Sequence, residues 1–139
     1  MHKLIVFWLV ILLGVGLILA TGGCSQAGST PLSTTPNPVQ SYADPATIVM
    51  FQGLSENDLS KYLQYCNADM KAAVSSDVLS ATSKPLTAQY GQFQSIQFLS
   101  TENQNAYVIV HYKAKFTKGD LKVRMVFDAN HLIAGQWFE

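Results

Sequence analysis

Charge is scarce in this chain. Lysine, arginine, aspartate and glutamate make up 13% of its 139 residues, nine basic against nine acidic, so the formal net charge is zero. An average soluble domain carries about 25% charged residues. With no basic field to meet phosphates, a nucleic-acid partner is not expected. Cysteine is scarcer still. Cys24 and Cys66 are the only two, which excludes a disulfide framework. The sequence also lacks metal-ligand spacing of His, Cys, Asp or Glu, a Gly-x-Ser-x-Gly nucleophile elbow, a phosphate-cradling glycine loop and any Asn-x-Ser/Thr acceptor. No cofactor and no metal are therefore expected, and no catalytic residue is assigned.

What is abundant lies at the start. Residues 4–20 are an unbroken apolar run, LIVFWLVILLGVGLILA, preceded only by Met1, His2 and Lys3 and followed by Thr21-Gly22-Gly23-Cys24. This run inflates the overall 48% hydrophobic content, which is no sign of an unusually large core. A short basic start, an apolar core and small residues before a cysteine resemble a lipoprotein signal peptide. The resemblance implies cleavage after Gly23 and lipidation of the Cys24 thiol. Thr21 stands where such signals usually carry leucine. An uncleaved membrane helix is the alternative, because residues 4–23 just reach the roughly 20 residues a span needs, and a plain secretory signal is a third reading. No basic residue occurs between Lys3 and Lys61. The positive-inside bias then leaves the rest of the chain on the extracytoplasmic side of a cell membrane, lipid-anchored or held by a single span.

Residues 1–23 are thus read as a signal peptide or membrane segment and residues 24–41 as a linker. The linker, rich in Ser, Thr and Pro, has too few core-forming residues to repay the entropy of folding. Residues 42–139 are read as one domain, long enough to bury a core without metal or disulfide help.

Within the domain, Asp44-Pro45 predicts a helix start, with Ile48, Val49 and Phe51 supplying apolar surface and Gly53 as a stop. A second helix is expected from Ser55, because Ser55 and Asp58 stand at capping-box spacing and Leu59, Tyr62, Leu63 and Cys66 fall at i, i+3, i+4 and i+7. Residues 70–74 read as a short helical turn. A third helix runs from Ser76 or Asp77 to Tyr90, with Val78, Leu79, Thr82, Leu86 and Tyr90 inward, an interruption at Pro85 and an end at Gly91.

From there the hydrophobic period changes from helical to two. Residues 93–100 predict a strand and 102–105 a polar turn, and residues 106–138 then read as three strands. Val108, Val110, Tyr112, Ala114 and Phe116 share one face of the first of these. Leu121, Val123, Met125 and Phe127 share one face of the second. Tight links favour an antiparallel meander. The expected class is α+β, three helices on a four-stranded antiparallel sheet. The opposite face carries Tyr107, Ile109, His111, Lys113, Lys115, Lys122, Arg124 and Val126, too apolar a mixture to be solvated throughout.

The blocks YKAKF (112–116), VRMVFD (123–128) and IAGQWF (133–138), preceded by ADPAT, GL, ND and residues 70–73, resemble an uncharacterised family of bacterial and archaeal domains. The resemblance covers residue 42 to the end. Members of that family occur alone in lipoproteins and in front of α/β-hydrolase domains. The resemblance implies a cone-like architecture similar to the nuclear transport factor 2-like group, in which helices pack on a curved sheet and often enclose a pocket. It implies no catalytic residues, because the family has no settled activity.

Tyr62, Tyr90, Tyr112 and Trp137 are candidates for the lining of such a pocket, since aromatics with a polar tip suit pocket walls. The same four suit an ordinary core. His111 would need a carboxylate orienter to act as a base, and Asp128 is the nominee. Cys66, on an apolar stripe, reads as a buried structural thiol. Lys113, Lys115, Lys122 and Arg124 read as a basic patch or as a solvated face. The expected function is non-catalytic binding of a partner protein or small ligand by a membrane-tethered domain. A pocket enzyme of the isomerase or dehydratase type, and an adaptor for a separately encoded hydrolase, are the alternatives.

Overall fold

The computed structural model describes residues 37–139; the expected leader, the Cys24 lipidation site and most of the expected linker lie outside them. Helical segments come first: α1 (Pro38–Glu56), α2 (Leu59–Tyr62), α3 (Ala68–Ala73) and α4 (Ser76–Tyr90). Strands follow: β1 (Phe93–Gln104), β2 (Tyr107–Phe116), β3 (Gly119–Phe127) and β4 (Ile133–Phe138). The strands form one open antiparallel meander in the order β1-β2-β3-β4. The class is α+β, as the change of period indicates.

The first helix starts earlier than Asp44-Pro45 suggests. Asn37-Pro38 carries the same start signal, and the Asn37 side chain accepts a hydrogen bond from the Val39 N–H. The earlier start wins because the added turn has something to bury. Val39 and Tyr42 pack on the core, Ala43 is fully buried, and Tyr42 meets Phe127 edge-on at 5.5 Å. Pro45 then lies inside the helix. Gly53 does not end it. A Cβ at Gly53 would sit 2.4 Å from the Tyr62 backbone nitrogen, so the glycine is needed where α1 and α2 touch backbone to backbone. Asn57, in the left-handed conformation at φ 55°, terminates α1 instead.

Ser55 belongs to α1, where its hydroxyl accepts from the Phe93 N–H, and Asp58 caps α2. The stripe expected from Leu59 to Cys66 does not form one helix. α2 is four residues long. Cys66 lies beyond it, paired in a parallel bridge with Ile133. Where three helices are expected, the described residues hold two long ones and two short ones. α4 is capped by Ser75 and runs through Pro85. Its buried line is Leu79, Ser83 and Leu86, whereas Val78 is 48% exposed. Ser83 is buried because its hydroxyl donates to the Leu54 carbonyl, fastening α4 to α1.

The two long helices cover one face of the sheet. Met50, Phe51 and Leu54 from α1 and Leu79 and Leu86 from α4 meet Val110, Tyr112, Ala114, Phe116, Val123, Met125 and Phe127. Phe51 lies within 5.4 Å of Phe93, 6.1 Å of Phe116 and 6.4 Å of Phe138, so one ring touches three strands. β1 is longer than expected. Its polar residues 101–104 continue the ladder as an exposed edge, and the turn narrows to Asn105, at φ 55°, and Ala106.

Candidate ligand site on the open face of the sheet

The four aromatic candidates are not brought together. Tyr62 and Tyr112 are core residues with satisfied hydroxyls: Tyr62 donates to Gln136 Oε1 at 2.8 Å and Tyr112 to Asp44 Oδ1 at 2.7 Å. Burial raises the pKa of both phenols well above the ordinary range, and for Tyr112 the bond to Asp44 adds to the effect. Tyr90 packs on Phe116 and borders a shallow hollow between α4 and the sheet, with Leu121 and Phe138. Trp137 is on the opposite face altogether, 46% exposed.

Trp137 marks the site. β4 pairs with β3 so that Trp137 faces Arg124 across the strands. The indole lies over Gly135, where a Cβ would come within 2.3 Å of its ring, so only glycine lets the ring lie down on the strand. Arg124 places its guanidinium carbon 4.7 Å from the ring centroid, a cation–π contact. Beside this pair is a cavity of about 290 Å³, lined by Asn67, Asp69, Gln104, Tyr107, Ile109, Arg124, Val126, Ala134 and Trp137. Ile109 belongs to the open face yet is only 6% exposed. With Val126 and Ala134 it makes an apolar floor under polar walls.

The wall from α3 owes its position to the segment before it. Tyr65 accepts from the Ile133 N–H, and Asn67 donates its backbone N–H to the Ile133 carbonyl, so the chain runs beside β4 as a short extra strand. Asn67 caps α3 with its side-chain oxygen and reaches Asp128 with its amide nitrogen at 3.4 Å. Asp128 in turn accepts from the N–H groups of Asn130 and Leu132. Asp128 therefore holds the β3–β4 turn and orients no histidine. The carboxylates beside His111 are Glu102, 3.3 Å from Nε2, and Glu139, 3.6 Å from Nδ1. Cys66 is buried, and burial pushes its thiol up to about 11, against the opposing charge of Lys71. It is protonated and unreactive near neutral pH.

The basic patch divides. Lys113 faces Lys122 across β2 and β3, Lys115 faces Asp120, and Arg124 is drawn away onto Trp137. Among the described residues no carboxylate pairs with the Arg124 guanidinium, and its Nε is shielded from solvent without a hydrogen-bond partner. No group of three or more His, Cys, Asp or Glu among the described residues could hold a metal ion, and no helix among them is long and apolar enough to cross a membrane.

A family model described as "Protein of unknown function (DUF3887)" matches residues 49–135, more than half of the chain. The chain belongs to this family. The match begins inside α1 and stops within β4, so the DUF3887 segment contains Arg124, Asp69 and the cavity floor but ends just before Trp137. Neither the curated proteins nor the solved structures yield a match.

Proposed function

We propose that this DUF3887 protein is a membrane-tethered, extracytoplasmic binding domain that holds a small ligand in the cavity beside Trp137. One observation carries the reading: the cavity contains a guanidinium held against an indole with no carboxylate partner among the described residues, on the face that the two long helices leave free. A guanidinium with no protein acceptor exchanges water for a ligand oxygen, and a charge-assisted pair of that kind is stronger than a neutral hydrogen bond. The volume, about 290 Å³, suits a small ligand. The space between helices and sheet, where domains similar to nuclear transport factor 2 often keep a pocket, is occupied by Tyr112, Phe51 and Phe127. The element order supports that architecture in a variant whose ligand site has moved to the outer face. The tether rests on the apolar run at 4–20 and on Cys24.

Native mass spectrometry of the chain recovered from its own cell envelope tests both parts. The expected species begins at Cys24, carries acyl mass and retains a reproducible small-molecule adduct that Trp137→Ala abolishes. An unmodified mass starting at Met1 would sink the lipid anchor. A bare domain mass in repeated preparations would sink the small-ligand reading.

A further inference from the structure

We infer that the ligand of this cavity carries a carboxylate, clamped by Arg124, and an apolar body that lies on Ile109, Val126 and Ala134. This rests on the reading above that the cavity is the binding site, and adds to it the chemical class.

Among the described residues, Arg124 is the only cationic side chain lining the cavity. Its cross-strand partner on β2 is His111, which is engaged by Glu102 and Glu139, and neither of those carboxylates forms an ion pair with the guanidinium. The cation–π contact with Trp137 anchors the guanidinium, and among the described residues no carboxylate takes its N–H donors. A planar fork held in this way matches the two oxygens of a carboxylate. The indole is itself held down by the bare Gly135 backbone, so the clamp is built before the ligand arrives. The floor is aliphatic, which favours a hydrocarbon body over a polyhydroxylated one. The remaining polar groups, Gln104, Asn67 and the Tyr107 hydroxyl, can hold neutral substituents. Asp69 gives the same cavity one carboxylate, which would meet an ammonium if the ligand is zwitterionic.

Three probes of one skeleton separate these contributions: L-leucine, 4-methylpentanoate, which lacks the amine, and leucinamide, which lacks the carboxylate. Each is titrated at millimolar concentration into the full chain in zwitterionic detergent, reading the Trp137 indole N–H by NMR. Trp137→Phe distinguishes that signal from Trp8. The expected result is saturable shifts with leucine and 4-methylpentanoate, none with leucinamide, and a loss of affinity of about tenfold or more in Arg124→Gln. Arg124→Lys, which keeps the charge but not the fork, should fall between. Tighter binding of leucine than of 4-methylpentanoate, reversed by Asp69→Asn, supports the clamp and adds the ammonium subsite; equal binding supports the clamp alone. Leucinamide binding as well as leucine, or Arg124→Gln binding as well as the parent chain, overturns the inference. So does silence of Trp137 with all three probes. Should the envelope adduct persist through that silence, the cavity remains a binding site for another chemistry. Should the adduct be missing as well, both readings fall.

Discussion

The two faces of the sheet are made from the same strands and do opposite things. On β2, Val110, Tyr112, Ala114 and Phe116 point under the helices and are buried, while Ile109, His111, Lys113 and Lys115 alternate with them on the other side. The covered face is packed with hydrocarbon and satisfied phenols. The open face keeps a like-charge pair, a histidine between two glutamates and an arginine without an acceptor. Neighbours about 3.4 Å apart along one strand thus face a packed core on one side and water on the other.

The largest effect expected from breaking this contrast is on the covered face. Phe127 is fully buried, and Phe127→Ala should lose about 3–5 kcal/mol of unfolding free energy in a denaturant titration. Trp137→Ala, the largest truncation available on the open face, should lose well under half of that. Equal losses would mean that the open face is a second core.

A smaller effect belongs to the buried phenols. Tyr112→Phe should cost about 0.5–1.5 kcal/mol at neutral pH through the lost bond to Asp44. Its pH dependence has a definite sign. Burial raises the folded-state pKa of Tyr62 and Tyr112 above the unfolded value near 10. The folded chain therefore holds protons that the unfolded chain releases, and stability is fully present below about pH 10 and falls as pH rises beyond it. Tyr112→Phe should flatten that alkaline decline. Tyrosinate absorbance should show Tyr62 and Tyr112 ionising only as the chain unfolds. Ionisation of all six tyrosines near pH 10 in a chain that stays folded would contradict their burial.

The smallest effect should run in the other direction. Lys113 faces Lys122 directly, and Lys113→Glu should gain about 0.2–1 kcal/mol at low salt, fading as salt is added. A loss instead would show that the lysine pair is held by something on the open face.

Much of this contrast is legible in the sequence. Alternation alone assigns Val110, Tyr112, Val123 and Met125 to one face and Ile109, His111, Lys113 and Arg124 to the other, because a strand's side chains have a period of two. Gly91 as the end of α4 is an equally local signal. What stays hidden is register and return. Nothing local shows that Trp137 will face Arg124, that Gly135 is bare so that an indole can cover it, or that residues 65–67 come back beside β4 to build a wall with Asn67 and Asp69. Residue type alone nominates the four aromatics, and type does not separate a core phenol such as Tyr112 from an exposed indole such as Trp137. The start of α1 is hidden for a different reason. Two Asx-Pro signals compete, and burial of Val39, Tyr42 and Ala43 decides between them.

The parallel bridge between Cys66 and Ile133 has a consequence for crowding. An open sheet exposes two rows of unpaired amides, each a template for another copy of the chain. Here the beginning of β4 is already occupied by the protein's own residues 65–67. The other edge, β1, has no lysine or proline to discourage pairing, but its ladder is broken at Phe93/Ser95 and again at Phe98/Ser100. Those interruptions bend a twelve-residue strand into short pieces that a flat partner cannot follow. Copies of the chain at high concentration therefore lie side by side without their sheets fusing into a fibre.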